Sequence, residues 1–223
     1  MNRCIKVPKI VIVVQGSAQY HNIVSQSFSE FPTVYSTWND ELSDRENVIF
    51  NKKPTITGKH NFFLQQKSTF SGLLFAKKMG ATHALKIRSD MIFSDLTKLI
   101  DRMMNSSDLY FPAWHDWKGG YLMYFFQFGK IDDMVKLWNI KPTLIDCLYN
   151  NKRINKTLTK HFTHLCVPEK ILTQSYFKHF GNRKVKYILP LMRELNIKCR
   201  WLKYKTNFEE FINDPLCDTT IHT

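Results

Sequence analysis

The sequence is poor in the residues that mark special classes of protein. Its 223 residues include only eight glycines, eight prolines and five cysteines. So little Gly and Pro excludes a collagen-like or low-complexity chain. The cysteines are Cys4, Cys147, Cys166, Cys199 and Cys217. They are odd in number, far apart and without a Cys-x-x-Cys pair, which indicates reduced thiols rather than a disulfide framework. We therefore expect a cytoplasmic protein, or one of the host cytoplasm if the gene is viral.

Long hydrophobic runs are also missing. The apolar run at residues 10–14 stops after five residues at Gln15 and Gly16. It is too short for the hydrophobic region of a signal peptide and far too short for a membrane span. Its β-branched residues are typical of a strand buried on both faces of a parallel sheet. We expect no transmembrane segment.

Acidic residues are scarce relative to basic ones, 19 against 32, which gives a net charge of +13. The excess is concentrated in residues 151–205, where 14 Lys and Arg face two acids, whereas residues 206–223 carry four acids and no Lys or Arg. Such a surface favours a negatively charged partner. Phosphates, an acidic glycan, nucleic acid and an anionic membrane surface at the inner face of the membrane all fit this charge.

Strands alternate with helices along the chain, which predicts an α/β fold. The strands are predicted at residues 9–15, 33–37, 47–50, 83–88, 108–111 and 121–128, and the main helices at 20–31, 61–79, 96–104, 131–138, 169–179 and 188–195. This order favours a mostly parallel, doubly wound central sheet with helices on both faces. Since no linker or repeat divides the chain, residues 1–223 are predicted to form a single domain.

Polar residues gather where the predicted strands end. Gln15 and Gly16 follow the first strand, Thr37 and Trp38 end the second, and Asp90 follows the strand at 83–88. Ligands of open α/β sheets bind at the carboxyl ends of the strands. The sequence thus predicts a binding site at this edge of the sheet.

The segment 85–93, Leu-Lys-Ile-Arg-Ser-Asp-Met-Ile-Phe, is the most informative. Lys86, Arg88 and Asp90 alternate along an apolar strand and are predicted to point to one face. A buried charge must be paired or hold a metal. One interpretation is an ion pair between Arg88 and Asp90 at the strand end. The other is a divalent ion on Asp90, with Lys86 or Arg88 contacting phosphate.

Two further acids are candidates for a general base. Glu169 follows Pro168 at a predicted helix start, where the helix dipole favours a carboxylate, although an ordinary N-terminal glutamate fits the same position. Asp116 lies in the loop 114–120, which carries two tryptophans and two glycines. Aromatic faces and a carboxylate suit sugar binding, and a hairpin whose tryptophans cover the core is the alternative.

Several short motifs occur in an order that resembles the WavE-type lipopolysaccharide-synthesis family, over roughly residues 8–180. They are Val-Val-Gln-Gly at 13–16, Tyr-Ser-Thr-Trp-Asn at 35–39, Gln65 with Ser-Thr at 68–69 and Gly-Leu at 72–73, Lys-Ile-Arg-Ser-Asp at 86–90, Phe-Gly at 128–129, Asp-Asp at 132–133, Leu-Trp at 137–138 and Pro-Glu at 168–169. The resemblance implies a small GT-A-like glycosyltransferase, whose sheet binds a nucleotide-diphospho-sugar.

The resemblance also implies roles for individual residues. Asp90 matches the second acid of a turn that holds Mn²⁺ or Mg²⁺, and Arg88 stands where the first acid is usual, which implies a metal site with one carboxylate. The positions that would hold the base and ribose of the donor are Gln15, Gly16, Thr37 and Trp38. Gln65 would lie near the donor, with Lys86 and Arg88 assisting at the diphosphate, but Leu64 stands where the family has an Arg. Glu169 or Asp116 would act as the base.

The function implied is metal-dependent transfer of a hexosyl or deoxyhexosyl group to a glycan or glycoconjugate hydroxyl. Residues 8–112 would form the nucleotide-binding half, 113–205 the acceptor side and 206–223 an acidic tail. One alternative is a non-catalytic nucleic-acid-binding module that uses the basic surface 151–205, although the chain has no nucleic-acid-binding signature. Another is a glycoside hydrolase with Asp90 and Glu169 as its carboxylate pair.

Overall fold

A seven-stranded sheet is the centre of the computed structural model, which describes residues 10–38, 47–112, 114–115, 121–143, 168–181 and 185–201. Its strands, in chain order, are β1 (Ile10–Gln15), β2 (Thr33–Trp38), β3 (Val48–Asn51), β4 (His83–Arg88), β6 (Tyr110–Phe111), β9 (Gln127–Lys130) and β10 (Lys186–Tyr187). Across the sheet they lie in the order β10-β6-β9-β4-β1-β2-β3. The remaining strands, β5 (Met91–Phe93) with β11 (Cys199–Trp201) and β7 (Trp114–His115) with β8 (Tyr121–Leu122), form two small antiparallel ladders.

Most strands of the central sheet run parallel. Strand β1 pairs in parallel with β2 and β4, β2 with β3, and β6 with β10. Strand β9 is the exception, since it lies antiparallel between β4 and β6. The mostly parallel sheet is the one that the alternating strands and helices predict.

Helices cover both faces of this sheet. They are α1 (His21–Val24), α2 (Phe62–Lys78), α3 (Leu96–Met104), α4 (Ile131–Trp138), α5 (Pro168–Phe180) and α6 (Ile188–Glu194), with short 3₁₀ turns at Ala18–Tyr20, Ser25–Phe28 and Lys59–Asn61. In β1, Val11 and Val13 pack into the core shared with α2, α4 and α5, whereas Ile12 and Val14 pack into the core shared with α1, α3 and α6. Because successive strand residues point to opposite faces, the continuous apolar run of β1 fills both cores. The doubly wound α/β fold is confirmed.

Two predicted elements are wrong in detail. The helix expected over residues 20–31 is divided into α1 and flanking 3₁₀ turns. The strand expected over 121–128 is two short strands, β8 and β9, which belong to different sheets and are separated by residues 123–126. In the described parts of the chain, no helix combines the length and the apolar character that a membrane span needs.

Helix α2 packs so closely on the sheet that only glycine fits at position 72. A Cβ atom there would lie 2.5 Å from Val13 Cγ1 and 3.2 Å from Ser36 Cβ. In an open helix Gly→Ala stabilises by about 0.5–1 kcal/mol. Here we expect the overpacking to reverse the sign, so that Gly72→Ala lowers the free energy of unfolding by about 1–3 kcal/mol in urea denaturation. Lys67→Ala, on the exposed side of α2, should change it by less than about 0.5 kcal/mol. A stabilised Gly72→Ala variant would contradict this packing.

Candidate functional site

The predicted residues at the strand ends do lie next to each other. Gln15 at the end of β1 is the register partner of Arg88 on β4 and of Ser36 on β2. Register partners on neighbouring strands point to the same face, here the face on which Val13 packs against α2. The carboxyl ends of the three central strands therefore place an amide, a hydroxyl and a guanidinium in one row.

Gly16 lets the chain turn away from the sheet at this row. Its φ of +129° lies in a region that suits glycine, and a Cβ atom would lie 2.5 Å from Ser89 Oγ. The turn is fixed from both sides, because the Gly16 amide donates to the Ser36 carbonyl (3.3 Å) and the Ser89 amide donates to the Gln15 carbonyl (2.9 Å). Gly16 is thus required by the backbone, whatever its role toward a ligand.

Arg88 and Asp90 form a two-point ion pair at the end of β4. Arg88 Nε donates to Asp90 Oδ1 at 3.0 Å, and Nη2 donates to Oδ2 at 2.7 Å. The two side chains are 30% and 26% exposed, so the pair lies at the surface of the site. Burial alone would lower the pKa of Arg88, but the hydrogen bonds and charge of Asp90 outweigh it and raise the pKa. Arg88 therefore stays a cation, and the ion pair of the first interpretation is present in the structure, whereas the metal of the second stays a prediction.

Lys86 lies beneath this pair rather than beside it. Its side chain is 0% exposed, and its ammonium donates to the carbonyls of Tyr124 (2.8 Å) and Phe125 (3.2 Å). The Nζ atom also lies 5.2 Å from the centre of the Trp138 ring, a cation–π distance. Burial lowers the pKa of Lys86 well below its ordinary value, the charge of Arg88 adds to this, and Asp90 opposes it. In this position Lys86 supports the wall of the site, and its predicted contact with phosphate stays a prediction.

Tyr124 is the site residue that the sequence analysis missed. It lies between β8 and β9, and its hydroxyl is 3.5 Å from Gln65 Nε2, a long hydrogen bond. Burial raises the pKa of Tyr124; the Gln65 hydrogen bond and Arg88 lower it, while the charges of Glu169 and Asp90 raise it. The phenol thus stays protonated and within electrostatic range of all three charged groups. Tyr124 thus interacts with Gln65 on α2, with Arg88 at the end of β4 and with Glu169.

Glu169 occupies the first turn of α5 and is partly exposed. This turn is tied to β8 through Thr173, whose hydroxyl donates to the Glu169 carbonyl (2.7 Å) and accepts from the Leu122 amide (2.9 Å). The same tie fixes the chain just before Tyr124. Glu169 and Tyr124 therefore reach the site from elements that are bonded together.

Thr37 and Trp38, predicted to contact the base and ribose, are both buried at the end of β2. Tyr35 belongs to the core on the opposite face from Val13, and Thr37, two residues on, points the same way as Tyr35. Asn51 Nδ2 stiffens this end by donating to Ser36 Oγ (2.9 Å) and to the Thr37 carbonyl (2.9 Å). Contacts of Thr37 and Trp38 with a ligand stay predictions.

Several buried polar atoms around the site have no hydrogen-bond partner among the described residues. They are Gln15 Oε1, Gln65 Oε1, Thr69 Oγ1 and Gln127 Nε2. Gln15 is only 4% exposed. Gln65 and Thr69 lie one turn apart on α2, and Gln127 is the register partner of Lys86. Because buried polar groups are nearly always paired, we expect these atoms to bond to groups other than the described residues.

The second candidate base, Asp116, lies outside the described residues, as do residues 151–167 of the basic segment 151–205. The backbone of Trp114 and His115 pairs with β8 in an antiparallel hairpin. Among the described residues, no group of three or more His, Cys, Asp or Glu side chains is placed to hold a metal ion. Both Asp90 oxygens accept hydrogen bonds from Arg88, and the metal ion predicted on Asp90 stays a prediction.

The buried position of Lys86 makes a prediction about pH. Its folded-state pKa lies well below its ordinary value of 10.5. Between these two values the unfolded chain binds a proton that the folded chain does not, so stability rises with pH. The stability linked to Lys86 is fully present above the pKa that Lys86 has in the unfolded chain, and it is lost as the pH falls through the pKa that Lys86 has in the folded chain. We expect the free energy of unfolding of the wild type, relative to Lys86→Met, to increase as the pH is raised toward 10.

The measurement is urea unfolding of both proteins between pH 6 and pH 10. Lys78→Met is the matched control, since Lys78 is exposed on α2, and its difference from the wild type should not change with pH. A Lys86→Met difference that stays equally flat would show that Lys86 is accessible to solvent in the folded protein.

Comparisons with known proteins are weak. No family model and no curated protein matches the chain, so the resemblance to the WavE-type family stays a hypothesis. Among solved structures, the chain is similar to a glycosyltransferase involved in the glycosylation of the major capsid of PBCV-1, with a TM-score of 0.43, 13% identity and coverage of 82% of this chain and 83% of that one. It is also similar to the galactosyltransferase LgtC, with a TM-score of 0.42, 12% identity and coverage of 80% and 72%. At these scores the likeness carries no argument about function.

Proposed function

We propose that this protein is a glycosyltransferase that moves a sugar from a nucleotide-diphospho-sugar to a hydroxyl of a glycan or glycoconjugate. The observation that carries the proposal is the row at the carboxyl ends of β1 and β4, where Gln15 lies beside the cation Arg88. Gln15 Oε1 is buried and has no hydrogen-bond partner within the described parts of the chain. An unpaired amide fits a polar group such as a ribose hydroxyl or a base edge, and a guanidinium fits phosphate. The sequence motifs that resemble the WavE-type family contribute these same residues.

The reaction follows from the positions of the charged groups. The acceptor oxygen forms a bond to the anomeric carbon of the donor sugar, and the bond from that carbon to the diphosphate oxygen breaks. Arg88 stabilises the negative charge that develops on the leaving diphosphate. A carboxylate accepts the hydroxyl proton, and we assign this role to Glu169, with Asp116 as the rival. Tyr124, protonated and near both Arg88 and Glu169, donates a hydrogen bond to substrate oxygens.

A metal ion would supply the same stabilisation of the diphosphate. The resemblance implies Mn²⁺ or Mg²⁺ on Asp90, but both Asp90 oxygens accept hydrogen bonds from Arg88. We therefore assign neutralisation of the leaving diphosphate to Arg88. The transfer of a hexosyl or deoxyhexosyl group, and a membrane contact through residues 151–205, belong to the proposal as predictions from the sequence alone.

The test is a transferase assay with a panel of UDP-, GDP-, CDP- and dTDP-sugars and a mixture of oligosaccharide and lipid-linked acceptors, read by mass spectrometry. We expect one donor to yield free nucleotide together with a glycosylated acceptor, and Arg88→Met to lose that product. Release of sugar from glycans without any nucleotide would favour the hydrolase alternative. Salt-sensitive binding to RNA or DNA, with no effect of any nucleotide-sugar on the thermal unfolding temperature, would favour the nucleic-acid module. Either result would overturn the proposal.

A further inference from the structure

The pairing at the end of β4 bears on how a diphosphate would be held. A carboxylate binds a divalent ion through its oxygens, and in Asp90 both oxygens already accept from the Arg88 guanidinium, at 3.0 and 2.7 Å. A metal on Asp90 would have to break this two-point pair. It would also place a dication beside a guanidinium whose charge the same carboxylate now balances, which is unfavourable.

The surroundings of Asp90 do not favour a metal either. The described residues supply no group of three His, Cys, Asp or Glu side chains. Position 88, two residues before Asp90 on the same face, carries a cation rather than a second acid. Lys86, which is buried and interacts electrostatically with both members of the pair, is another base and not an acid. These residues together make an anion site rather than a cation site.

Arg88 has the geometry that an anion site needs. A guanidinium presents five N–H donors in a rigid plane, and Asp90 accepts from two of them. The Arg88 side chain is 30% exposed, so an anion can approach the guanidinium from solvent. The Asp90 pair fixes that plane before a ligand arrives, which reduces the conformational entropy that binding would cost. The register places Gln15 beside Arg88, and the buried Gln15 Oε1 has no partner among the residues that the structure describes. A nucleotide whose diphosphate contacts Arg88 can therefore also reach Gln15.

We propose that Arg88, oriented by Asp90, takes the place of a divalent metal in this protein and binds the diphosphate of the donor directly. This inference rests on the proposed function and specifies the chemistry of its donor site. Asp90 is then a positioning residue. Nucleotide binding does not need Mn²⁺ or Mg²⁺, and neutralisation of the leaving group comes from the guanidinium.

The experiment measures binding of UDP, GDP, CDP and dTDP to the full chain by isothermal titration calorimetry, after metal has been removed with EDTA and its removal verified by elemental analysis. We expect one diphosphate to bind in EDTA, with a Kd within about threefold of that measured with Mn²⁺ added. Arg88→Met should weaken binding by about ten- to hundredfold, and Arg88→Lys, which keeps the charge but not the fork, by less.

Asp90→Asn distinguishes a carboxylate that orients Arg88 from a carboxylate that binds a metal ion. If Asp90 orients Arg88, the asparagine carbonyl oxygen can still accept one of the two hydrogen bonds, so binding in EDTA should persist with a loss of no more than about tenfold. Asp95→Asn is the matched control, since Asp95 caps α3 through the Lys98 amide and asparagine caps equally well. It should bind as the wild type does.

The outcomes distinguish the inference from the function on which it rests. Binding that appears only with Mn²⁺ or Mg²⁺, and that Asp90→Asn abolishes, would overturn metal-independent binding and leave the glycosyltransferase proposal standing. No binding of any diphosphate, with or without metal, would overturn both. If Arg88→Met does not fold, as judged by circular dichroism, the comparison of the wild type with and without EDTA still decides.

Discussion

Replacing Glu169 with glutamine is expected to lower kcat by about 10²–10⁴-fold, while the affinity for the nucleotide donor changes by less than about twofold. The reason is that glutamine keeps the size and hydrogen-bonding shape of the side chain but cannot accept the proton of the acceptor hydroxyl. The backbone of this turn is held independently of the carboxylate, because Thr173 bonds the Glu169 carbonyl and the Leu122 amide. Initial rates at saturating donor and acceptor, together with calorimetric donor binding, measure the two effects separately.

Glu194→Gln is the control for this variant, because Glu194 is exposed in the last turn of α6 and forms only a 3.6 Å surface pair with Arg102. Its kcat should equal that of the wild type. Asp116→Asn tests the rival base. Should Asp116→Asn lose activity to this extent while Glu169→Gln remains active, the proton acceptor is Asp116, and Glu169 is an ordinary residue of a helix start.

The largest expected loss of stability is at Trp138, which supports the site from below. Its side chain is fully buried, its ring stacks near Phe62 with centroids 6.2 Å apart, and its Nε1 donates to Gln127 Oε1 at 3.2 Å. The ring also faces the Lys86 ammonium. Trp138→Ala removes all of these contacts and leaves a cavity, so we expect the free energy of unfolding to fall by about 3–5 kcal/mol in guanidinium denaturation.

Trp138→Phe provides the graded comparison. It keeps an aromatic face for Lys86 and Phe62 but loses the hydrogen bond to Gln127, whose Nε2 already lacks a partner among the described residues. We expect a loss of about 1–2 kcal/mol. If alanine costs less than the phenylalanine variant, Trp138 does not support this core, and the position of Lys86 is not set by the ring.

Local signals in the sequence were sufficient for the elements whose boundaries are set locally. The helix predicted at residues 96–104 matches α3 (Leu96–Met104), and Asp95, the residue just before it, caps the helix by accepting from the Lys98 amide at 2.9 Å. The long helix 61–79 matches α2 within one residue at each end. In each case the signal that marks the end of the helix lies within a few residues of that end. These signals are the cap Asp95, the glycine Gly80 after α2 and the spacing of the apolar residues.

The segment 121–128 could not be predicted because its structure depends on a distant side chain. Its run of apolar and aromatic residues has no alternation that separates a strand from a loop. The carbonyls of Tyr124 and Phe125 accept hydrogen bonds from the ammonium of Lys86 instead of from a neighbouring strand. A lysine about forty residues away thus ends the strand. The strand propensities of residues 121–128 do not depend on such a distant contact and so cannot predict it.

The candidate site was predictable to the extent that it lies at the ends of parallel strands. Gln15, Arg88 and Asp90 follow from that rule, and the register brings Gln15 and Arg88 together. Tyr124 does not follow from it, because it precedes the antiparallel strand β9 and enters the site from the opposite chain direction. Its signal in the sequence was a tyrosine in a run of apolar residues, which a buried core strand explains equally well.

The antiparallel placement of β9 also has a consequence for synthesis of the chain on the ribosome. Strand β4 can pair with β1 on one edge once both strands have been synthesised. Its other edge pairs with β9, so Lys86 can pair with Gln127 only after the intervening chain has been translated. At elongation rates of about 5–20 residues per second this delay is about two to eight seconds. During that time an apolar strand edge is open to pairing with other chains, and the nascent protein is at its most vulnerable to aggregation.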